Sequence, residues 1–219
     1  NKGLDTATGE YVMFVDGDDY LHYQAVEILS ECSKETDADI VCTHFDITSD
    51  LDKEQKQIKN FEYHKADFNE LFTEKFGSVI GKSSCAKLIK ANFAKKEKFP
   101  INISNGEDGY YVIMLLNRCP NVYVVNQQLY YYYTRENSAV TSAFTLTNFS
   151  ITYSFDDLCD HLKNSENDFL RKYCLQYLFQ TIFYNRTRAI GTESEKFVLD
   201  ESKRIGSKWI KDFRKNKDI

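Results

Sequence analysis

The 219-residue sequence has no paired cysteines: Cys32, Cys42, Cys85, Cys119, Cys159 and Cys174 are scattered, without a Cys-x-x-Cys among them. Neither a zinc cage nor a dithiol redox motif is thereby suggested, and reduced thiols in a cytoplasmic setting are the expectation. Every apolar run is far shorter than the ~20 residues that a membrane span needs, and no signal-peptide pattern is present. The nine glycines are dispersed, with no glycine-rich phosphate loop. His22, His44, His64 and His161 share no metal-ligand spacing. Positive charge is not in excess either: 28 Lys and Arg stand against 33 Asp and Glu, a net charge of −5 that argues against a general affinity for nucleic acid. No internal repeat or low-complexity linker interrupts the chain.

What is present suits a packed core, because 42% of the residues are hydrophobic and 15% aromatic. The length allows one sizeable domain, or a domain with an appendage. Residues 10–16 are rich in β-formers and nearly all apolar, as in a strand covered on both faces. Helical spacing follows over His22 to Ser33, and Asp39 to Ile47 reads as a second strand. Residues 48–65 are polar and lack periodicity, which predicts an excursion. Residues 67–76 and 85–94 read as short helices, closed off by Phe99-Pro100. A helix over 105–117 carries Glu107 and Asp108 in its first turn, where carboxylates suit the positive end of the helix dipole. A third strand spans residues 122–134, and from about Thr147 the pattern turns helical over 147–163, 166–190 and 194–217. The expectation is an α/β region over residues 1–146 and a helical subdomain over 147–219.

The first strand runs straight into three acids, Asp16, Asp18 and Asp19. Alternate positions of a strand share a side, so Asp16 and Asp18 are expected to converge, with Asp19 joining from the following turn. Such a cluster repels itself unless a divalent cation offsets it, and hard oxygen ligands suit Mg²⁺ or Mn²⁺ beside substrate phosphates. The carboxyl end of a strand in an α/β sheet is also where ligands tend to bind. Asp-Gly-Asp-Asp is rich in turn formers as well, and a plain turn is the competing reading. A calcium loop is excluded, since Tyr20 and Leu21 occupy places that need a ligand and a glycine. An aspartyl-phosphate phosphatase fits poorly, with Asp19-Tyr20 after the second acid.

Asn1, Gly3 and Leu4, then Ala7, Gly9, Glu10 and Tyr11, then Asp16, Asp18 and Asp19, together resemble the family 2 glycosyltransferases. Tyr23 departs from that pattern, which has proline there. Further on, Lys87-Leu88, Phe99-Pro100 and Gly106-Glu107-Asp108 are similar to the family's later motifs, as are Tyr133, Arg135, Asn137 and Ser138. The resemblance covers about residues 1–142, and three motifs in the right order make it specific. It implies a GT-A-like mixed sheet flanked by helices, with the first nucleotide-base-binding strands lying before the Asn-x-Gly-Leu motif. The chain is therefore expected to be truncated at its N-terminus relative to the family, to carry a helical C-terminal extension, and to be weakly active or inactive alone.

The resemblance also implies chemistry: an inverting, metal-dependent transfer from a nucleotide sugar, a UDP-sugar by family expectation, to a hydroxyl of a polysaccharide, lipid-linked glycan or other glycoconjugate. Asp16, Asp18 and Arg135 would bind the nucleotide sugar, Asp18 and Asp19 the Mn²⁺ or Mg²⁺. Asp108 would be the general base, supported by Glu107. Without the resemblance, Glu107 and Asp108 read as an ordinary acidic helix start, and Arg135 as a solvated loop residue. The alternative from another class is a non-catalytic glycan-binding or assembly module that keeps the fold.

Ile205, Trp209 and Phe213 recur every four residues in a segment carrying seven basic side chains against two acids over 203–219. Such a helix suits peripheral contact with an anionic membrane surface. The same stripe suits a last helix packed on the protein body, the commoner arrangement.

Overall fold

The computed structural model describes residues 1–73, 80–119, 121–134 and 144–216. The chain divides into two compact units, Asn1–Phe99 with Tyr111–Thr141, and Pro100–Tyr110 with Ser142–Ile219. In chain order the elements are α1 (Lys2–Thr6), β1 (Tyr11–Met13), β2 (Tyr20–Leu21), α2 (Ala25–Thr36), β3 (Ile40–Thr48), β4 (Tyr63–Lys65), α3 (Phe68–Phe72), β5 (Lys87–Lys90), α4 (Ala91–Ala94), α5 (Glu107–Arg118), β6 (Val122–Tyr133), α6 (Ser150–Leu162), α7 (Asp168–Ala189) and α8 (Glu195–Lys215).

The first unit is built on a mixed sheet of order β1-β5-β3-β6-β2, with β4 paired to β6 off that path. Among the described strand pairs β3 and β6 alone run parallel, and both are long enough to carry the sheet's middle. β3 is almost wholly buried along its length, as a strand covered on both faces should be. Its ladder with β6 shifts register on either side of His44. Thr43 repairs the break: its hydroxyl donates to the Gln127 carbonyl at 2.6 Å and accepts from the Leu129 N–H at 3.3 Å. The bulge thus leaves little backbone polarity unspent.

Helix α2 forms because Ala25, Ile28, Leu29 and Cys32 recur on one face, and that face packs on Val41, Leu88, Val125 and Leu129 of the sheet. Asp37 ends it in the left-handed conformation, φ 53°. In the part of α5 that belongs to this unit, Tyr111 stacks on Phe99 with ring centroids 4.1 Å apart and planes 9° from parallel, and its hydroxyl donates to the Ala94 carbonyl at 2.8 Å.

The region 85–94, expected as a helix, is instead β5 followed by a single helical turn. β5 lies between β1 and β3, and its Lys87 is 1% exposed. The Lys87 ammonium donates to the carbonyls of Ile80 at 2.6 Å, Ser83 at 2.5 Å and Cys85 at 3.2 Å. A buried cation is tolerated there because carbonyl dipoles surround it. The polar excursion before β4 is strapped to the start of α2: the Gln24 carboxamide accepts from the Ile58 N–H at 2.8 Å and donates to the Ile58 carbonyl at 3.3 Å, as a paired strand would.

The second unit is helical, with its core drawn from α6, α7 and α8: Phe155, Leu158, Leu170, Leu178, Val198 and Ile205 are all buried. The apolar stripe of α8 faces this core. Trp209 donates its indole N–H to Asp156 of α6 at 2.7 Å, and Phe213 meets Phe179 of α7 at 4.2 Å between centroids. Among the described residues no helix is long and apolar enough to cross a membrane.

Candidate functional site

The acidic stretch begins where β1 stops. The strand proper ends at Met13, with one further bridge from Phe14 to Cys85. Asp16, Gly17, Asp18 and Asp19 then form a turn closed by the Asp19 N–H donating to the Asp16 carbonyl at 3.1 Å. The acids are therefore disposed by a turn and not by strand alternation. The turn is needed because the chain must reverse into β2, where Tyr20 and Leu21 pair with Tyr131 and Tyr130 of β6. Asp16 and Asp18 are exposed, whereas Asp19 is half-buried.

Asp19 holds the turn to the sheet. Its Oδ2 accepts from the Tyr130 hydroxyl at 2.7 Å and its Oδ1 accepts from the Tyr133 N–H at 2.9 Å. The Tyr130 oxygen in turn accepts from the Asp16 N–H at 3.1 Å. One phenol thus joins both ends of the turn. Burial above all, and hydrogen bonds to Cys85 and Asp19, push the Tyr130 hydroxyl far above its ordinary range, so it stays a protonated donor. Stacking of Tyr20 on Tyr131, at 4.6 Å and 9°, fixes the next residue of the turn.

Among the described residues, no group of three or more His, Cys, Asp or Glu side chains is disposed to hold a metal ion. The donor chemistry nevertheless fits a hard divalent cation of the Mg²⁺ kind, which binds through one or two carboxylates plus substrate phosphates and needs no all-protein cage. Asp18 stands on the solvent side of the turn. Each Asp19 oxygen accepts one protein hydrogen bond and retains a further lone-pair site.

Glu107 and Asp108 open α5 within the second unit, and both are half-buried. The segment before them is fastened to the start of α6. The Ser150 hydroxyl lies 3.3 Å from the Asn105 carbonyl, and Ser154 donates to the Gly106 carbonyl at 3.1 Å. Gly106 has φ +92°, and a Cβ there would stand 2.9 Å from Cγ1 of Ile151. Only glycine satisfies both demands, which is why the helix begins at Glu107 and not at Asn105. Arg135, with Asn137 and Ser138, lies outside the described residues.

Tyr130 carries no mark in the sequence of a part in this site. Its partner lies 111 residues away, and no local spacing signals such a pairing. Gly106 was legible only as part of a motif; the close approach of Ile151 was not.

This fold, a mixed sheet with helices, is shared with solved structures of TarS. The structure matches that of S. aureus TarS 1-349 in complex with UDP-GlcNAc with a TM-score of 0.67 at 16% identity, covering 94% of this chain and 62% of that one. The match to TarS 1-349 in complex with UDP has a TM-score of 0.64 at 15% identity, over 97% of this chain and 61% of that one. Residues 1–96 match the model of glycosyl transferase family 2. Similar curated proteins include a poly(ribitol-phosphate) beta-glucosyltransferase of Bacillus spizizenii, 24% identical over 97% of this chain and 33% of that protein. Another is a cholesterol galactosyltransferase of Borreliella burgdorferi, 30% identical over 67% of this chain and 44% of that protein. The chain thus spans between a third and a half of the length of these relatives.

Proposed function

We propose that this chain carries the diphosphate-side acids and the general base of an inverting glycosyltransferase that moves a sugar from a nucleotide sugar, a UDP-sugar, to a hydroxyl of a cell-surface polysaccharide or other glycoconjugate. The observation that carries the reading is the acidic turn itself: three carboxylates follow β1 inside the segment that matches the family, and Tyr130 pins them to β6. The likeness to a protein solved with UDP-GlcNAc supports the donor class.

Asp16 and Asp18 orient the nucleotide sugar, with Arg135 as a further phosphate ligand by its guanidinium chemistry. Asp18 and Asp19 are the residues that would hold Mn²⁺ or Mg²⁺. When bound, the cation supplies positive charge at the leaving diphosphate. Asp108 accepts the proton of the acceptor hydroxyl as that oxygen bonds to the anomeric carbon. The bond from that carbon to the diphosphate oxygen breaks, and the nucleoside diphosphate leaves with the electron pair. A single displacement inverts the anomeric centre. Glu107 supports Asp108 at the start of α5, and the Ser150 and Ser154 contacts hold that start in place.

The test is Asp108→Asn in the full protein, followed by sugar transfer and by UDP-sugar binding. Turnover is expected to fall by about 10²–10⁴-fold with donor affinity retained. Transfer at the wild-type rate would overturn the assignment.

A further inference from the structure

Just ahead of its acids, β1 changes partners. The antiparallel ladder with β5 sets Tyr11 opposite Lys90, Val12 opposite Ile89 and Met13 opposite Leu88. One more step of that register would bring Phe14 to Lys87. Phe14 instead bridges to Cys85, and in the parallel sense. The residue between them in the chain, Ala86, is where the ladder breaks: it has φ 56° and is 0% exposed. Asp37, the other described non-glycine residue with positive φ, ends a helix, where that conformation is common. Ala86 has no such reason. Its Cβ disfavours the left-handed region, so the kink persists only because its surroundings over-determine it.

The surroundings are specific. The Thr43 N–H donates to the Ala86 carbonyl at 3.0 Å, and the Cys85 N–H donates to the Ser83 hydroxyl at 3.1 Å. The ammonium of Lys87, next in the chain, turns back over the kink and donates to the carbonyls of Ile80, Ser83 and Cys85. An ammonium suits that place because it directs several donors from a single point. An apolar side chain of the same length would fill the space and bind none of the carbonyls.

The segment so fixed reaches the acidic turn by two routes. The Cys85 backbone holds Phe14, two residues before Asp16. The Cys85 side chain shares a hydrogen bond with the Tyr130 hydroxyl, the group that donates to Asp19 and accepts from the Asp16 N–H. Both routes pass through one residue whose carbonyl the ammonium grips.

We infer that Lys87 is a positioning residue for the donor side of the site: its ammonium holds the Ala86 kink, and through Cys85 the kink sets where the acidic turn stands. The inference deepens the transferase reading and rests on it for the word donor, but the effect on Tyr130 does not.

The test is Lys87→Met, which keeps the length of the side chain and removes the ammonium, in the full protein carrying carbon-13 at the tyrosine Cζ atoms. The Tyr130 resonance, assigned by its loss in Tyr130→Phe, reports the hydrogen bonding of that hydroxyl. It should move in Lys87→Met, although β3 lies between β5 and β6. The KM for the UDP-sugar should rise about tenfold, roughly the worth of one hydrogen bond to a charged group, with the acceptor KM unchanged. Lost stability alone would lower the folded fraction, and so kcat, and would leave the resonance and both KM values in place. An unmoved Tyr130 resonance or an unchanged donor KM overturns the inference. Where Lys87→Met does not fold, Ser83→Ala replaces it, at a half-buried position whose hydroxyl holds the Cys85 N–H. The same resonance should then move and the donor KM rise, and failure of either is again fatal. Sugar transfer by the wild type with neither readout altered in the variant would end the inference and leave the transferase reading standing. A wild type that transfers no sugar would end the transferase reading instead; UDP affinity by calorimetry then takes the place of the donor KM and, with the Tyr130 resonance, still decides the role of Lys87.

Discussion

The hydroxyl of Tyr130 donates to Asp19 at 2.7 Å and accepts from the Asp16 backbone N–H at 3.1 Å, so a single buried atom of β6 holds both ends of the acidic turn. Tyr130→Phe removes both contacts while keeping the ring that packs on Phe45. The variant is expected to lose about 1–2 kcal/mol of stability in denaturant titration. UDP affinity, measured by calorimetry on the full protein, should fall by more than that stability loss explains, since Asp16 and Asp18 lose their support. Unchanged UDP affinity would mean that the turn orients itself.

Gly106→Ala places a methyl group 2.9 Å from Ile151 Cγ1 on a backbone with φ +92°. The cost expected is about 1–3 kcal/mol. The more telling readout is kcat, which should drop even where the protein is fully folded, because Asp108 follows two residues later. Pairing it with Ile151→Ala should restore part of the stability. An alanine variant with wild-type stability would show that the segment shifts freely.

The thiols give a pH signature. Burial first of all raises Cys32 and Cys42 to about 11 and Cys119 to about 12. The unfolded thiol titrates near ~8.5. A folded value above the unfolded one means that the thiol contribution is complete below about pH 8.5 and is lost as pH rises through about 11 to 12. Stability measured by urea titration should therefore decline between pH 9 and 11, with thiol modification at pH 8 undetectable until the chain unfolds. Rapid labelling of the native protein at pH 8 would contradict this.

Trp209 is the single tryptophan of the chain, which makes its fluorescence a reporter of the helical unit. With 8% exposure and its indole N–H on Asp156, its emission should be blue-shifted and should not change on adding anionic vesicles. A vesicle-dependent shift would show that the stripe of α8 can leave its core. Trp209→Ala should cost about 3–5 kcal/mol in that unit.

Much of the fold was legible because long elements carry their periodicity openly. β3, β6, α2 and the three C-terminal helices all fall within a few residues of the expected spans. β5 was not, and the reason is physical: Lys87-Leu88-Ile89-Lys90 is four residues long, lies in a run of good helix formers, and becomes a strand only because β1 and β3 pair with it on either side. β2 and β4, at two and three residues, are likewise made by their partners on β6. The site was legible in its acids and obscure in its supports. Asp16, Asp18, Asp19, Glu107 and Asp108 are adjacent in sequence to the features that mark them, whereas Tyr130 reaches Asp19 only through the sheet.

The doubled role of one phenol has a consequence for transplanting the acidic loop. Copying residues 16 to 19 into another scaffold brings the carboxylates without the atom that anchors them, so a successful graft must carry β6 along with the loop. The same logic ties two distant codons together: a drift to phenylalanine at position 130 removes both anchors in one step, and selection on the loop is felt on a strand more than a hundred residues downstream.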